Sequence, residues 1–209
     1  MKLKRFLMIA AAVIALVVST GTTTAFAQNK TSKEKTMGKS LVVYFSLAGD
    51  QYNVGGITEG NTAIVAKMIA AETGADLFEI EPTRAYTTTS YNTLIGEAKD
   101  EQQKKARPAL KADTDISAYD TIFIGYPIWW GDMPMVVYTF LEAHDWSGKT
   151  VVPFCTHEGS GSAGTDGKIK RVCKGATVKS PLAVQGKTAQ TNRAAAKKAV
   201  QEWMKKIGR

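Results

Sequence analysis

Short apolar runs rich in β-branched residues alternate along this chain with longer stretches in which apolar residues recur every three to four positions. Runs of the first kind are typical of strands, and stretches of the second kind are typical of amphipathic helices. The predicted strands cover residues 41–47, 76–82, 121–127, 150–159 and 176–186, and the predicted helices cover residues 61–74, 90–106, 133–145, 165–175 and 191–208. Strand and helix therefore alternate along the whole domain.

The first, third and fourth strands are continuously hydrophobic rather than alternating, which indicates that both faces of their sheet are covered. The sequence therefore predicts an α/β domain in which a doubly wound parallel sheet carries helices on both faces. In such sheets a ligand binds beyond the carboxyl ends of the strands, near the point where the strand order reverses. The loops after these three strands are consequently the places where a site is expected.

The loop after the first strand has the composition of an anion-binding loop. Ser46 ends the strand, and Asn61 and Thr62 open the helix that follows. Free backbone amides and the helix dipole favour an anion at a helix start, although Asn61 or Thr62 could equally serve only as the helix cap. The loop has neither the GxxxxGK[ST] pattern nor the GxGxxG spacing, which argues against a nucleoside triphosphate or a dinucleotide.

The loop after the third strand, "GYPIWWGDMP" (residues 125–134), contains two adjacent tryptophans between a proline and a glycine. Trp129 and Trp130 offer flat apolar faces at a strand end, where a pair of indoles is hard to bury. Core packing is the alternative role for them. A planar ring system is the partner that such faces favour, because offset aromatic stacking adds about 0.5–1.5 kcal/mol beyond the burial of area.

The loop after the fourth strand, "CTHEGSGSAGTDG" (residues 155–167), combines a few polar side chains with glycine-rich backbone. His157 could donate a hydrogen bond to a ring oxygen, and a plain glycine-rich linker is the alternative. The three loops together predict a ligand that has a phosphate at one end and a large flat polar group at the other. FMN has that shape.

The segments "LVVYFS…GNT", "GYPIWWGDMP" and "PFCTHEGSGSAG", in this order and spacing, resemble the flavodoxin family, in particular its bacterial flavodoxin-like branch, over residues 40–207. The resemblance implies a five-stranded parallel sheet in the order 2-1-3-4-5 and non-covalently bound FMN. It implies that the phosphate is held by Ser46, Asn61 and Thr62. It implies that the isoalloxazine ring is flanked by Pro127, Ile128, Trp129, Trp130 and Gly131. It implies that the other edge of the ring is lined by Thr156, His157, Glu158, Gly159, Ser160 and Gly161.

Two features depart from the family pattern. Residues 50–59, "DQYNVGGITE", are inserted between Ser46 and the helix start. The sequence therefore does not determine which residues touch the phosphate. Flavodoxins that carry electrons are typically acidic, whereas this chain has a formal net charge of +8. The basic charge disfavours a dedicated shuttle role.

The N-terminal residues predict export across the cytoplasmic membrane. A basic start precedes an apolar run over residues 6–18, and the small-x-small triplet 25–27 follows. This is the layout of a secretory signal peptide over residues 1–27, and an uncleaved membrane anchor is the alternative. Residues 28–38 are polar and predict a flexible tether, and residues 39–209 form the predicted FMN-binding domain.

The charge and the titratable residues exclude several classes of function. Positive residues are spread out, with a denser cluster in the last helix that is typical of a solvated face, so no nucleic-acid partner is expected. Membrane contact is expected only through the signal peptide, and no metal is expected because no cluster has metal-ligand spacing. An oxidising compartment permits a disulfide between Cys155 and Cys173, but two separate buried thiols are favoured.

The sequence therefore predicts an FMN-binding redox protein in which the flavin carries the chemistry and no side chain is catalytic. It passes one or two electrons, either as a carrier or as a small oxidoreductase acting on NAD(P)H or quinones. Its partner is a redox protein or a small-molecule electron donor or acceptor. One alternative is an extracellular flavin-binding or interaction module without turnover. Another is an exported α/β hydrolase that uses Ser46 or Ser160, although no GxSxG elbow is present.

Overall fold

The computed structural model describes residues 38–209. The predicted signal peptide (residues 1–27) and all but the last residue of the predicted tether (residues 28–38) lie outside the described residues. Both assignments stay predictions.

Six helices and eight strands make up the described domain. The strands are β1 (Ser40–Tyr44), β2 (Gly49–Gln51), β3 (Gly55–Ile57), β4 (Asp76–Glu79), β5 (Thr121–Pro127), β6 (Thr150–His157), β7 (Thr177–Val178) and β8 (Leu182–Gln185). The helices are α1 (Asn61–Thr73), α2 (Tyr91–Lys104), α3 (Met135–Ala143), α4 (Thr165–Val172), α5 (Gly186–Thr191) and α6 (Arg193–Lys206).

The main sheet is parallel and has the strand order β4-β1-β5-β6-β7, with β8 also paired to β6. β7 pairs with the start of β6 and β8 with its end, so the two short strands share the fifth position. Pro181 lies between them and has no N–H to give to the ladder. The predicted order 2-1-3-4-5 is confirmed.

Both faces of this sheet are buried, as the continuous hydrophobicity predicts. Along β1, Leu41 and Val43 face one apolar layer with side chains from α2, α3 and α4. Val42 and Tyr44 face the other layer with side chains from α1 and α6. The two layers fix the positions of the strand ends, and the site is built on those ends.

The ends of the predicted helices agree with the structure within a few residues. Gly74 closes α1 in the left-handed conformation (φ 67°), as expected of a C-cap glycine. The helical period places Ala195, Ala199, Val200 and Trp203 on the inward face of α6, and this prediction is partly wrong. Ala196 is fully buried, whereas Ala195 is exposed.

In the described part of the chain, no helix has the length and apolar character needed to cross a membrane.

Cys155 and Cys173 are separate thiols, both buried in the same apolar layer. Burial raises the pKa of each thiol to about 12, so both are uncharged at neutral pH. They behave as small apolar core residues.

The inserted segment forms a structure that the pattern does not predict. Its strands β2 and β3 pair antiparallel to form a small separate hairpin over residues 49–57, with Asn53 at its turn in the left-handed region (φ 63°). We refer to it below as the hairpin. It leaves the β1–α1 connection and returns to it, so the core sheet is undisturbed.

Candidate functional site

A cleft of about 110 Å³ lies where β5 and β6 reach their carboxyl ends. We refer to it as the central cleft. Its lining comes from the loops after β1, β5 and β6 and from the start of α2, and consists of Gln51, Tyr52, Asn61, Tyr91, Pro127, Ile128, Trp129, Thr156, His157 and Glu158. The three loops singled out from the sequence therefore meet at one rim of the sheet.

Seven of the predicted site residues line this cleft: Asn61, Pro127, Ile128, Trp129, Thr156, His157 and Glu158. The other seven lie nearby without belonging to its lining: Ser46, Thr62, Trp130, Gly131, Gly159, Ser160 and Gly161. Three lining residues were not among the predicted site residues, namely Gln51, Tyr52 and Tyr91. Two of them belong to the insertion, whose fold no short-range signal in the sequence reveals.

The start of α1 offers backbone donors to the cleft. The N-cap residue is Gly60, which has no side chain to accept the first amides of the helix. Ser46 Oγ accepts the third amide, that of Ala63, at 3.0 Å. Among the described residues, nothing accepts the amides of Asn61 and Thr62. Two free N–H groups at a helix start favour an anion, because the helix dipole adds to them.

Gly60 is required for this loop to close. A Cβ at this position would overlap Ser46 Oγ and would lie 2.7 Å from the carbonyl oxygen of Leu47. The loop after β1 therefore approaches the helix start more closely than any side chain would allow. The hydroxyl of Thr62 is buried below and shares a hydrogen bond with Thr156 Oγ1 at 2.8 Å, which ties the β1 loop to β6.

The two tryptophans after β5 belong to one tight turn. Trp129 and Asp132 are joined by two backbone hydrogen bonds of 2.8 and 3.0 Å, and Trp130 (φ 51°) and Gly131 (φ 71°) form the turn between them. Positive φ at both central residues is the pattern of a type I′ turn. A bulky residue rarely takes this conformation, so the turn holds Trp130 in a strained position.

Trp129 points toward the sheet. Its ring meets Phe45 edge-on at 5.4 Å and Tyr86 edge-on at 5.2 Å between centroids, and it also lines the central cleft. Trp129 therefore packs against core residues and also faces the cleft, and the predicted contact with a planar ligand stays a prediction.

Trp130 points outward and is 50% exposed. Its indole Nε1 donates to the carbonyl oxygen of Ile95 at 2.9 Å, and the ammonium of Lys99 lies 5.0 Å from its ring centroid. Trp130 lines a second, apolar cleft of about 170 Å³. This second cleft shares Tyr91, Ile128 and Trp129 with the central cleft and is otherwise lined by Leu94, Ile95, Ala98 and Trp130. The expected pair of stacking faces is thus divided between two adjoining clefts.

A hydrogen bond to His157 determines which of its ring nitrogens carries the proton. Its Nδ1 accepts the amide of Gly159 at 2.9 Å, and burial lowers the pKa of His157 below its ordinary value. The neutral ring must therefore carry its proton on Nε2, which makes Nε2 a hydrogen-bond donor. Gly159 (φ 129°) takes a backbone conformation that favours glycine, which allows this close turn.

Glu158 joins three parts of the rim. Its carboxylate accepts from Lys187 N at 2.9 Å, from Gln185 Nε2 at 3.4 Å and from Asn53 Nδ2 at 3.1 Å. The first two contacts fix the start of α5, and the third reaches the turn of the hairpin. The loop after β6 and the inserted hairpin are consequently linked across the cleft.

The opposite side of the hairpin is fixed to the segment before α2. The amide of Asp50 donates to the carbonyl oxygen of Thr88 at 2.7 Å, and the carboxylate of Asp50 accepts the amide of Tyr91 at 3.0 Å. The rings of Tyr52 and Tyr91 lie 5.7 Å apart. The hairpin therefore spans the mouth of the cleft between two attachments.

Within residues 38–209, no three His, Cys, Asp or Glu side chains group as a metal site would require. Ser46 Oγ is engaged by the amide of Ala63, and in this part of the chain neither Ser46 nor Ser160 hydrogen-bonds a histidine. The arrangement offers amide donors, an aromatic ring and a neutral imidazole, and these suit the binding of an organic anion with a flat ring.

Comparison with known proteins finds one family model and several solved structures similar to this chain. The flavodoxin family model matches residues 39–207. A solved structure assigned as a flavoprotein, from Bacteroides eggerthii DSM 20697, is 33% identical with a TM-score of 0.65, covering 82% of this chain and 98% of its own. A second, from Bacteroides uniformis ATCC 8492, is 30% identical with a TM-score of 0.64, covering 80% and 98%.

A flavoprotein from Lactobacillus acidophilus NCFM, solved in complex with FMN, is 20% identical with a TM-score of 0.55. The similarity covers 76% of this chain and 99% of that chain, and at this identity it shows the fold alone. A search of curated proteins found no match.

Proposed function

Because this chain belongs to the flavodoxin family, we propose that it binds FMN non-covalently in the central cleft and transfers electrons through it. The flavoprotein from Lactobacillus acidophilus, which has the same fold, was solved in complex with FMN and supports this choice of cofactor. When bound, FMN supplies the redox chemistry, and the protein contributes position, access and electrostatics.

One observation carries the proposal: the central cleft brings the start of α1, Trp129 and His157 to one place. The free amides of Asn61 and Thr62 are suited to hold the phosphate. The ring of Trp129 and the apolar Ile128 are suited to contact the isoalloxazine ring. His157 presents an Nε2–H that is suited to donate to an oxygen at the polar edge of that ring. The cleft therefore offers a suitable group for each part of FMN: amide donors for the phosphate, an apolar surface for the ring, and a polar donor for the edge of the ring.

The volume of the central cleft indicates how the cofactor enters. About 110 Å³ is below the roughly 300 Å³ at which ligand pockets usually begin. The strand ends cannot retreat without breaking the core. We therefore expect the side chains at the mouth, above all those of the hairpin, to move outward when FMN binds.

The second, apolar cleft favours a small-molecule electron donor or acceptor over a dedicated protein shuttle. It adjoins the central cleft through Tyr91, Ile128 and Trp129, so a molecule there would lie beside the bound flavin. Its apolar lining suits a flat, weakly polar molecule such as a quinone. The net charge of +8 also differs from that of acidic electron carriers.

Titration of the purified protein with FMN tests the binding proposal. We expect a yellow one-to-one complex and quenching of flavin fluorescence, and an unchanged FMN spectrum and fluorescence would refute it. Rapid mixing of the dithionite-reduced complex with quinones, and of the oxidised complex with NADH or NADPH, tests the redox proposal. A complex that neither gives nor accepts electrons at useful rates would instead support a binding module without turnover.

We also propose that the chain is exported, on the strength of its N-terminal sequence. N-terminal sequencing of protein recovered outside the cytoplasm is expected to begin at Gln28. Recovery of the intact chain from the cytoplasm would contradict export.

A further inference from the structure

We propose that the hairpin completes the FMN site and that Gln51 donates a hydrogen bond from its Nε2 to an oxygen of the bound flavin. This inference rests on the proposed function and adds a binding residue to it. The hairpin belongs to the insertion that interrupts the loop after β1, and the family resemblance assigns it no role.

Gln51 has a buried donor without an acceptor. Its Nε2 is sealed from solvent and is the only buried side-chain nitrogen or oxygen among residues 38–209 that lacks a hydrogen-bond partner. A buried amide left in this state costs about 1–3 kcal/mol, and native proteins avoid it almost everywhere. Such a group is tolerated where a ligand supplies the missing acceptor.

The position of Gln51 identifies the ligand that would supply it. Gln51 lines the central cleft together with Asn61 at the start of α1 and with Trp129 and His157 at the strand ends. These are the groups proposed to hold FMN. FMN carries oxygen acceptors along its whole length, on the phosphate, on the ribityl chain and on the ring, so the chemistry of an amide donor fits it.

Two attachments hold the hairpin, and with it Gln51, at the mouth of the cleft. On one side, Asp50 is bonded to Thr88 and Tyr91. On the other side, the turn residue Asn53 is bonded to Glu158. Gln51 lies between the two attachments, and both are polar contacts that can form again once the hairpin has moved to admit FMN.

The glycine that starts the hairpin supports a dedicated geometry. Gly49 has a φ of 97°, and a Cβ there would overlap the carbonyl oxygen of Thr88. The close approach of the hairpin to the segment before α2 therefore depends on glycine at this position. The hairpin is seated against the domain and does not hang free from it.

The proposal predicts two effects of opposite sign for the Gln51→Leu substitution. Leucine removes the buried donor, so the thermal midpoint of the FMN-free protein is expected to stay unchanged or to rise. The same substitution removes the bond to the flavin, so the Kd for FMN is expected to increase about tenfold. A merely structural glutamine would lower the thermal midpoint.

The matched control is Gln201→Leu. Gln201 is an exposed residue of α6 whose Nε2 donates to Glu72, near the end of α1 opposite to Asn61. The Kd of the Gln201→Leu variant for FMN is expected to equal that of the unsubstituted protein. Fluorescence quenching gives the Kd, and thermal melts of the FMN-free proteins give the midpoints.

A second variant, Gln51→Glu, keeps the shape of the side chain and replaces the donor by a carboxylate oxygen. A loss of FMN affinity larger than that of Gln51→Leu is expected, because the flavin phosphate is also negative. If the unsubstituted protein does not bind FMN, the proposed function itself fails. If it binds FMN and Gln51→Leu binds equally well, or if both variants lose the fold, only the role of Gln51 is overturned.

Discussion

The central cleft has two walls that are held by different forces. The inner wall follows β5 and β6, and the hydrogen-bond ladder between them continues one residue past the end of β5, since the amide of Ile128 donates to Thr156 O at 2.8 Å. Behind it, Trp129 packs edge-on against the buried rings of Phe45 and Tyr86. The outer wall is the hairpin, which has two strands of three residues and is fixed mainly by polar contacts.

The two walls are expected to differ in rigidity. Apolar burial and aromatic packing give the inner wall a single shape, because any displacement would open the core. Polar contacts at the surface are weaker and can be exchanged for water, so the hairpin can open at a low cost. On the proposed function, we expect the rigid wall to position FMN and the hairpin to open for its entry and then to close over it.

The largest expected effect comes from the inner wall. Trp129→Ala should lower the free energy of unfolding by about 3 kcal/mol, because it removes an aromatic ring from a packed cluster. It should also weaken FMN binding by about 100-fold, since the same ring faces the cleft. Urea denaturation and FMN titration measure the two quantities, and Trp129→Phe should recover part of both.

The neighbouring Trp130 is the natural control for this prediction. Trp130→Ala removes a ring that is half exposed and outside the central cleft, so it should change the free energy of unfolding by less than about 1 kcal/mol. FMN affinity should change by less than about fivefold. Equal effects at both tryptophans would show that the place of Trp129 in the central cleft is not what makes its ring important.

A smaller effect is expected from loosening the outer wall. Asn53→Ala removes the bond between the hairpin turn and Glu158, so the free energy of unfolding should fall by less than about 1 kcal/mol. Dissociation of FMN should accelerate by about three- to tenfold, because the cover over the cleft opens more often. Stopped-flow displacement measures this rate.

Asn92→Ala provides the comparison, since Asn92 is an exposed residue of α2 whose side chain makes no hydrogen bond within residues 38–209. Its dissociation rate should match that of the unsubstituted protein. An Asn53→Ala variant with an unchanged rate would mean that the hairpin does not control release.

The smallest effect concerns pH. Burial lowers the pKa of His157 in the folded protein, so the neutral ring is the favoured form there. The corresponding stability is present above the ordinary histidine pKa of about 6.5 and is lost as pH falls through the lowered value. Protonation also places a proton on Nδ1, which can then no longer accept the amide of Gly159. FMN affinity should therefore decline modestly between pH 7.5 and pH 5.

Substitution by asparagine isolates this titration. The side-chain oxygen of His157→Asn can accept the Gly159 amide in place of Nδ1, and it does not titrate. The variant is expected to bind FMN with the same affinity at both pH values, apart from any change shared with the unsubstituted protein. A decline of equal size in the two proteins would assign the pH dependence to other groups.

The inner wall was largely predictable from the sequence, and the outer wall was not. Residues 121–127 read as a buried strand, and β5 has those bounds. Trp129 and Thr156, which are among the predicted site residues, lie at the ends of β5 and β6 and line the central cleft. The hairpin depends on contacts with Thr88, Tyr91 and Glu158, which are distant in sequence. No pattern within residues 50–59 could reveal them.

Two smaller differences between the predicted and the observed elements also arise from contacts between residues distant in sequence. The helical period places α6 correctly but misses its buried face by one residue, because Ala195 and Ala196 are chemically identical and only packing against the sheet distinguishes them. The predicted fifth strand is divided into β7 and β8, where Ser180 O leaves the ladder and accepts the indole N–H of Trp203.

The sequence by itself determined the layers of this protein, the parallel sheet and the three loops that meet at its rim. It could do so because strand and helix periods and strand-end loops are local properties of the chain. Only the tertiary structure decided which tryptophan faces the cleft, that a hairpin covers it and that Gln51 is left with a buried donor. These features depend on contacts between distant residues, and such contacts exist only once the chain has folded.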